Sequence, residues 1–300
     1  MPAVTDSRLA QREKKLIDSL ARLENVVVAY SGGVDSSLLA YYARKTLGAR
    51  AKIVIAISPS LAADELDEAR EQARLFDWQL IEVKTYEVDN PEYRKNDGQR
   101  CYFCKGALFE AMNIIAEAEG FKALAYGANI ADLADLRPGH RAAREYKVLS
   151  PLQEAELTKE EIRQLAKTAG LPAWDKPQSA CLSSRFPTFE TVTPARLKIV
   201  EAAEMALRKL GLKGFRVRFH SLNTSEISDS KNGKDMALAR IELSAEDLRA
   251  VLEIESLRSD ISAAVKSAGF AFVTIDLEGY RQGSSNIETD FVKVELKGRG

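Results

Sequence analysis

Apolar and polar positions alternate along the chain in a way that predicts strands and helices in regular succession. Leu9, Leu16, Ile17, Leu20 and Leu23 recur at helical spacing and predict a first amphipathic helix. Val26–Tyr30 is a short, β-branched apolar run, the pattern of a buried strand, and Leu38 and Leu39 then open a helix reaching Gly48. Residues 52–57 form a second strand ended by Ser58-Pro59, 62–76 an acidic helix, and 79–83 a third strand. A polar stretch of little periodicity, 85–100, runs into Cys101-Tyr102-Phe103-Cys104-Lys105, after which Leu108, Met112, Ile115 and Ala116 trace a helix. A fourth strand, 122–126, is followed by Gly127-Ala128-Asn129, and 131–146 reads as a long loop or broken helix. Thr158 with Glu161 forms a capping box for a helix that stops near Gly170. Strands alternating with helices imply a parallel, doubly wound sheet, whose ligands sit beyond the carboxyl ends of the strands. From Pro194 the pattern changes to a helix reaching Leu210, two strand-like runs (214–220 and 236–243) around a polar turn at 223–234, helices at 245–253 and 257–268, and a last strand at 270–277. The fold class is therefore α/β, with a doubly wound parallel sheet over 1–189 and a smaller C-terminal α+β domain over 190–300.

Composition narrows the setting. The 45% hydrophobic and 29% charged content is that of an ordinary globular protein, and 300 residues suffice for two modest domains. No apolar run approaches a membrane span, and residues 1–12 lack an apolar signal core, which argues for a cytoplasmic protein without a membrane partner. A net charge of −1 argues against a nucleic-acid partner. Three cysteines are an odd set and argue against a disulfide framework.

The first candidate chemistry is the turn Ser31-Gly32-Gly33-Val34-Asp35-Ser36 between strand and helix. Gly32 and Gly33 let the backbone turn sharply and approach a ligand. The helix that follows presents free N–H groups and the positive end of its dipole, which suits phosphate. Ser31 and Ser36 add hydroxyls. Asp35 would repel phosphates unless it holds a Mg2+ that they share. No lysine follows the glycines, so the pattern is not a Walker A loop. It resembles the SGGxDS loop of the ATP pyrophosphatase (PP-loop) superfamily, with its adenine nucleotide alpha hydrolase-like fold. That resemblance implies ATP cleaved between the α- and β-phosphates, giving an adenylated substrate and pyrophosphate.

The cysteines are the second. Cys101 and Cys104 form a C-x-x-C pair, and Cys181 stands alone in a polar segment ending at Arg185. The pair reads as a redox couple, half a zinc site or a coincidence. With only His140 and His220 in the chain, a Cys3His zinc site is arithmetically open. Three thiolates without a fourth ligand can instead hold a 4Fe-4S cluster and leave one iron for an exogenous ligand such as sulfide, a sulfur donor. Cys181 can also be a buried small hydrophobe, although its basic surroundings favour a reactive thiol.

Further motifs run through the chain: Gly127-Ala128-Asn129 with Asp132; Arg137-Pro138-Gly139 with Arg141 and Glu145; Ser150-Pro151-Leu152; Trp174-Asp175-Lys176-Pro177; Ala180-Cys181-Leu182-Ser183-Ser184-Arg185; and, in the second domain, Arg216-Val217-Arg218-Phe219-His220, Ala239-Arg240-Ile241-Glu242 and Leu277-Glu278-Gly279-Tyr280. Taken with the PP-loop, this set resembles the LarE family, ATP-dependent sulfur transferases of nickel-pincer nucleotide cofactor synthesis. The resemblance implies that a carboxylate of pyridinium-3,5-dicarboxylate mononucleotide is adenylated and converted to a thiocarboxylate with loss of AMP. It implies nucleotide binding by Ser31, Gly32, Gly33, Asp35, Ser36, Gly127, Arg185, Arg216 and Arg218, with Asp35 and Cys181 catalytic. Family members without a C-x-x-C pair give up the sulfur of the cysteine matching Cys181. Here the pair is present, as in a branch associated with an iron–sulfur cluster, and Cys101, Cys104 and Cys181 are its expected ligands. A homo-oligomer and a sulfide-donor protein are the partners implied.

The arginines fit this picture from their spacing alone. Arg216 and Arg218 alternate on a predicted strand and so share a face, where paired guanidiniums suit a phosphate; the alternative is a solvated basic face. Arg240 and Glu242 read equally as a structural ion pair or as part of a substrate or metal site. Asp132 and Glu145 stay open as Mg2+ ligands. Three rivals stand: a cluster-dependent tRNA thiolase, against which the charge speaks; a non-catalytic nucleotide-binding protein with structural zinc; and an amidotransferase-type ligase, for which no glutaminase segment is seen.

Overall fold

The computed structural model describes residues 3–134, 138–177, 180–222 and 236–281. Arg137, the predicted turn at 223–234 and the tail after Gly283 lie outside them. The chain forms two compact units: one runs to Leu182 and regains Val192–Pro194, the other takes Ser183–Thr191 and the chain from Ala195.

The first unit contains α1 (Ala3–Ala21), β1 (Val26–Tyr30), α2 (Val34–Leu47), β2 (Ala51–Ile57), α3 (Ala63–Leu75), β3 (Leu80–Lys84), α4 (Pro91–Arg94), α5 (Arg100–Glu119), β4 (Leu124–Ala125), α6 (Pro138–Glu145), α7 (Pro151–Glu154) and α8 (Lys159–Thr168). Its strands form a parallel sheet in the order β3-β2-β1-β4. All five residues of β1 are buried, because helices cover both faces of the sheet. Val26, Val28 and Tyr30 join a core with Leu38 and Leu39 of α2, while Val27 and Ala29 join another with Phe109 and Met112 of α5. The period of two along the strand thus sorts one apolar run into two cores. The strand order turns back between β1 and β4, so a crevice opens at their carboxyl ends.

Three elements differ from the sequence reading. Helix α5 begins at Arg100 rather than near Leu108, so Cys101 and Cys104 lie at its start, in the first and second turns. Residues 102–108 are all half-buried and carry no apolar stripe, and Gly106 lowers the local helix propensity. The ambiguous segment 131–146 contains α6, with Pro138 at its first position. Strand β4 spans only two residues because its outer neighbour is a single parallel bridge at Leu149.

The second unit holds α9 (Pro194–Lys209), β5 (Phe215–Ser221), β6 (Ala237–Leu243), α10 (Ala245–Glu253), α11 (Glu255–Ala268) and β7 (Phe272–Ile275). The sheet order is β5-β6-β7, with β5 antiparallel and β7 parallel to β6. Phe215, Val217 and Phe219 share one buried face with Ala239 and Ile241; the register sets Arg216 opposite Glu242 and Arg218 opposite Arg240 on the other. Among the described residues no helix is long and apolar enough to cross a membrane.

Candidate functional site

The turn after β1 is held by its own hydroxyls. Gly32 takes the left-handed conformation (φ 73°), and Gly33 starts α2. Ser36 Oγ accepts the Ser31 N–H at 3.1 Å, lies 3.1 Å from Ser31 Oγ and donates to the Gly33 carbonyl at 3.0 Å. The turn after β4 packs directly on this loop: a Cβ on Gly127 would lie 2.7 Å from the Ser36 nitrogen. Gly127 therefore serves the loop through backbone approach, a role only glycine can fill here.

A 380 Å³ cavity opens on the loop, lined by Ser31, Asp35, Asn129, Asp132, Lys159 and Lys176 among others. The Asp35 carboxylate accepts from Asn129 Nδ2 at 3.3 Å and is ion-paired with Lys159. Lys159 is the first residue of α8, placed by the Thr158–Glu161 capping box. Arg163, one turn further on, donates to the carbonyls of Trp174 and Lys176 at 3.0 and 2.9 Å and so fixes the Trp174–Lys176 segment against the cavity. The cavity joins three cations to two carboxylates, a charge pattern suited to a metal-bound polyphosphate.

All three cysteines carry free thiols, Cys101 exposed and Cys104 and Cys181 half-buried. Enclosure raises the pKa of the Cys104 thiol well above the ordinary cysteine range, and Glu87, then Cys181, then Cys101 add to the rise. The Leu182 N–H donates to the Ser60 carbonyl at 2.9 Å, tying the Cys181 segment to the turn after β2. Lys105 follows Cys104 directly. Its ammonium lies 4.9 Å from the ring centre of Tyr126, and its stem passes Gly139, where a Cβ would lie 2.7 Å from Lys105 Cδ. Burial lowers the Lys105 pKa, and Cys104, Cys101 and Asp132 pull it back up. This one amine thus feels both the thiols and an acid of the loop cavity. Among the described residues no three His, Cys, Asp or Glu side chains converge as ligands of a single metal ion do.

In the second unit, Arg185 and Glu204 form a buried two-pronged ion pair at 2.9 and 3.0 Å, and Glu204 also accepts the Val217 N–H. Arg218 is 4% exposed, donates to Glu242 at 2.7 Å and to the Ser184 carbonyl at 2.8 Å, and so does not belong to a solvated basic face. Arg240 pairs with Glu242 and Asp276 and donates through Nε to His220 Nε2. Arg216 differs: among the described residues it donates to its neighbour's carbonyl at 2.8 Å and lies over the Tyr280 ring. Burial and the nearby Arg185 lower its pKa. Arg185 and Arg218 each have a carboxylate, and Arg216 has none among the described residues.

Lys159, Glu87 and Glu204 escaped the sequence reading, while Asn129 and Lys105 entered it only as members of motifs, with no role of their own. Glu204 left a signal, since it sits on the apolar stripe of α9 with Leu197, Val200 and Leu207. Lys159 left none, because it reaches Asp35 across 124 residues.

Residues 22–208 match the family model of the thiamine biosynthesis protein ThiI. An uncharacterised Synechocystis protein is 40% identical over 93% of this chain and 98% of its own length. The pyridinium-3,5-bisthiocarboxylic acid mononucleotide synthase of Lactiplantibacillus plantarum is 33% identical over 93% of this chain and 95% of its own length. An uncharacterised Methanocaldococcus jannaschii protein is 29% identical over 86% and 91% respectively.

Proposed function

The chain belongs to the LarE family of PP-loop, ATP-dependent sulfurtransferases, and from that premise we propose that it adenylates a carboxylate of pyridinium-3,5-dicarboxylate mononucleotide and converts it to a thiocarboxylate. The substrate carboxylate oxygen attacks the α-phosphorus of ATP and pyrophosphate leaves. Sulfur then attacks the activated carbonyl carbon, and AMP departs with the bridging oxygen. Asp35 would hold a Mg2+, which would neutralise phosphate charge when bound, and Lys159, the present partner of Asp35, would then be free to bind the phosphates. The turn Ser31–Ser36 receives them at the start of α2. In the second unit, Arg216 binds a substrate phosphate, with the buried Arg218, held by Glu242, adding positive charge beside it; the absence of a carboxylate partner for Arg216 among the described residues supports this.

Cys101, Cys104 and Cys181 would hold a 4Fe-4S cluster: three cysteines outside any disulfide suit such a group, which when bound would supply the sulfur donor. A sulfide-donor protein, a homo-oligomer and a cytoplasmic setting belong to the same reading. The observation that carries it is the cavity on the Ser31–Ser36 turn, where Asp35 and Asp132 meet Lys159, Arg163 and Lys176.

Anaerobic purification tests it. The protein is expected to contain iron and acid-labile sulfide and to absorb broadly in the blue, and Cys101→Ala, Cys104→Ala or Cys181→Ala is expected to abolish this. If Cys101→Ala and Cys104→Ala keep multiple turnover, the cluster proposal fails. Cys181 is then the donor, and mass spectrometry after reaction shows loss of one sulfur and two hydrogens from it.

A further inference from the structure

Gln72 is a polar side chain on the buried face of α3, 4% exposed and sharing that face with Leu66, Ala69 and Ala73. Such a group is unfavourable in a core unless its hydrogen bonds are made. Both ends of its carboxamide are bonded. The Ala173 N–H donates to Gln72 Oε1 at 3.3 Å. Gln72 Nε2 donates to Tyr30 Oη at 2.8 Å and to Ser37 Oγ at 2.7 Å. The Ala173 N–H can only donate, which turns the carboxamide oxygen toward it and the amine toward the two hydroxyls. Each hydroxyl then donates outward, Ser37 Oγ to the Gly33 carbonyl at 2.8 Å and Tyr30 Oη to the Ala69 carbonyl at 3.4 Å. Burial pushes the Tyr30 phenol up to about 12, so it keeps the proton it donates. One carboxamide thus joins two walls of the cavity at the Ser31–Ser36 turn: Gly33 lines one side, and Lys176, just beyond Ala173, lines another. Glu68, one turn before Gln72 on α3, holds Lys176 at 2.7 Å. Gly32 closes on the same helix, where a Cβ would lie 3.4 Å from that of Ala69.

We infer that Gln72 is a positioning residue for nucleotide binding: its carboxamide holds the glycine-rich turn and the Trp174–Lys176 segment at the separation that the phosphates of ATP need, without touching the nucleotide itself. The inference rests on the nucleotide reading of that cavity and adds to it a residue behind the cavity wall. The donors and acceptors around position 72 call for an amide. The isosteric carboxylate of Gln72→Glu still accepts from Ala173. Its other oxygen faces two hydroxyls that can meet it only by turning their protons inward, away from the Gly33 and Ala69 carbonyls. The variant therefore loosens the start of α2, where the phosphates are received, while every apolar contact of the core keeps its volume.

The test titrates full-length protein with MgATP by calorimetry, which reads the dissociation constant and the number of sites per chain separately, with circular dichroism as the check on folding. Gln72→Glu is expected to weaken MgATP about tenfold at an unchanged number of sites, the size of one net hydrogen bond. Ser37→Ala, which cuts the same route to Gly33, is expected to weaken it comparably. Tyr30→Phe, which leaves the Ser37–Gly33 bond in place, is expected to stay within about twofold of wild type. If Gln72→Glu does not fold, Gln72→Met, which removes the amide at similar volume, takes its place under the same outcomes. An unchanged dissociation constant in the Gln72 variant overturns the inference and leaves the proposed function standing. A fall in the number of sites at constant affinity overturns it as well, since that reports a merely structural role, and so does a Ser37→Ala that binds MgATP as tightly as Tyr30→Phe. A wild type that binds no MgATP overturns the nucleotide reading itself, and the inference with it.

Discussion

The turn after β1 and the first turn of α5 lie in the same unit, yet they handle charge in opposite ways. Around the first, each charge has a counter-charge or carbonyl: Asp35 has Lys159 and Asn129, Arg163 has two carbonyls, and Lys176 has Glu68. Around the second, Glu87 Oε2 has no partner among the described residues, the Lys105 amine makes no hydrogen bond or ion pair among them, and the Cys104 thiol is disfavoured as a thiolate. A self-paired pocket contributes to folding and must be opened by its ligand. An electrostatically unfavourable corner weakens the fold, and natural chains keep such corners where chemistry needs them.

The contrast can be broken at several points. The largest effect is expected from Asp35→Ala, which should lower pyrophosphate release by about a hundredfold or more, as loss of one preorganised electrostatic contact does elsewhere. Circular dichroism should be unchanged, and near-normal pyrophosphate release would remove Asp35 from the nucleotide chemistry. Next comes Gly127→Ala, whose new Cβ collides with backbone at Ser36 rather than with a flexible side chain. A loss of about 1–3 kcal/mol is expected by denaturant unfolding, together with weaker ATP binding by calorimetry.

A paired comparison sharpens the argument further. Lys105→Met should stabilise metal-free protein by about 1 kcal/mol while impairing sulfur transfer, because it removes a buried amine that has no counter-ion contact. Lys159→Met should instead lower stability, since it strips a partner from Asp35. Thermal unfolding of the two variants side by side decides the matter, and equal shifts would erase the distinction. The smallest effect concerns pH. Burial, then Arg240 and Arg218, lower the His220 pKa below its ordinary 6.5. The unfolded chain therefore takes up a proton that the folded chain refuses. Stability should fall as pH drops from 6.5 through the depressed folded value and level off below it. His220→Gln should flatten that part of the profile in unfolding experiments.

What was legible in the sequence was local. Val26–Tyr30 is a strand from end to end because five consecutive buried positions need an unbroken apolar run. The Thr158–Glu161 cap forms as its spacing requires. The start of α5 was hidden, since a half-buried first turn has no apolar stripe to betray it. Arg218 and Arg240 could be placed on a face by parity, but whether water or carboxylates surround that face depends on Glu242 and Asp276.

The sequence by itself determined the parallel sheet, the glycine-rich turn after its first strand, and the three thiols. Each follows from residues that are neighbours along the chain or repeat with a fixed period. Only the tertiary structure decided which charges face one another: Lys159 on Asp35, Glu204 on Arg185, and Glu242 on Arg218. Charge contacts are set by distance through space, and no one-dimensional pattern encodes which distant side chains the folded backbone brings within a few ångströms.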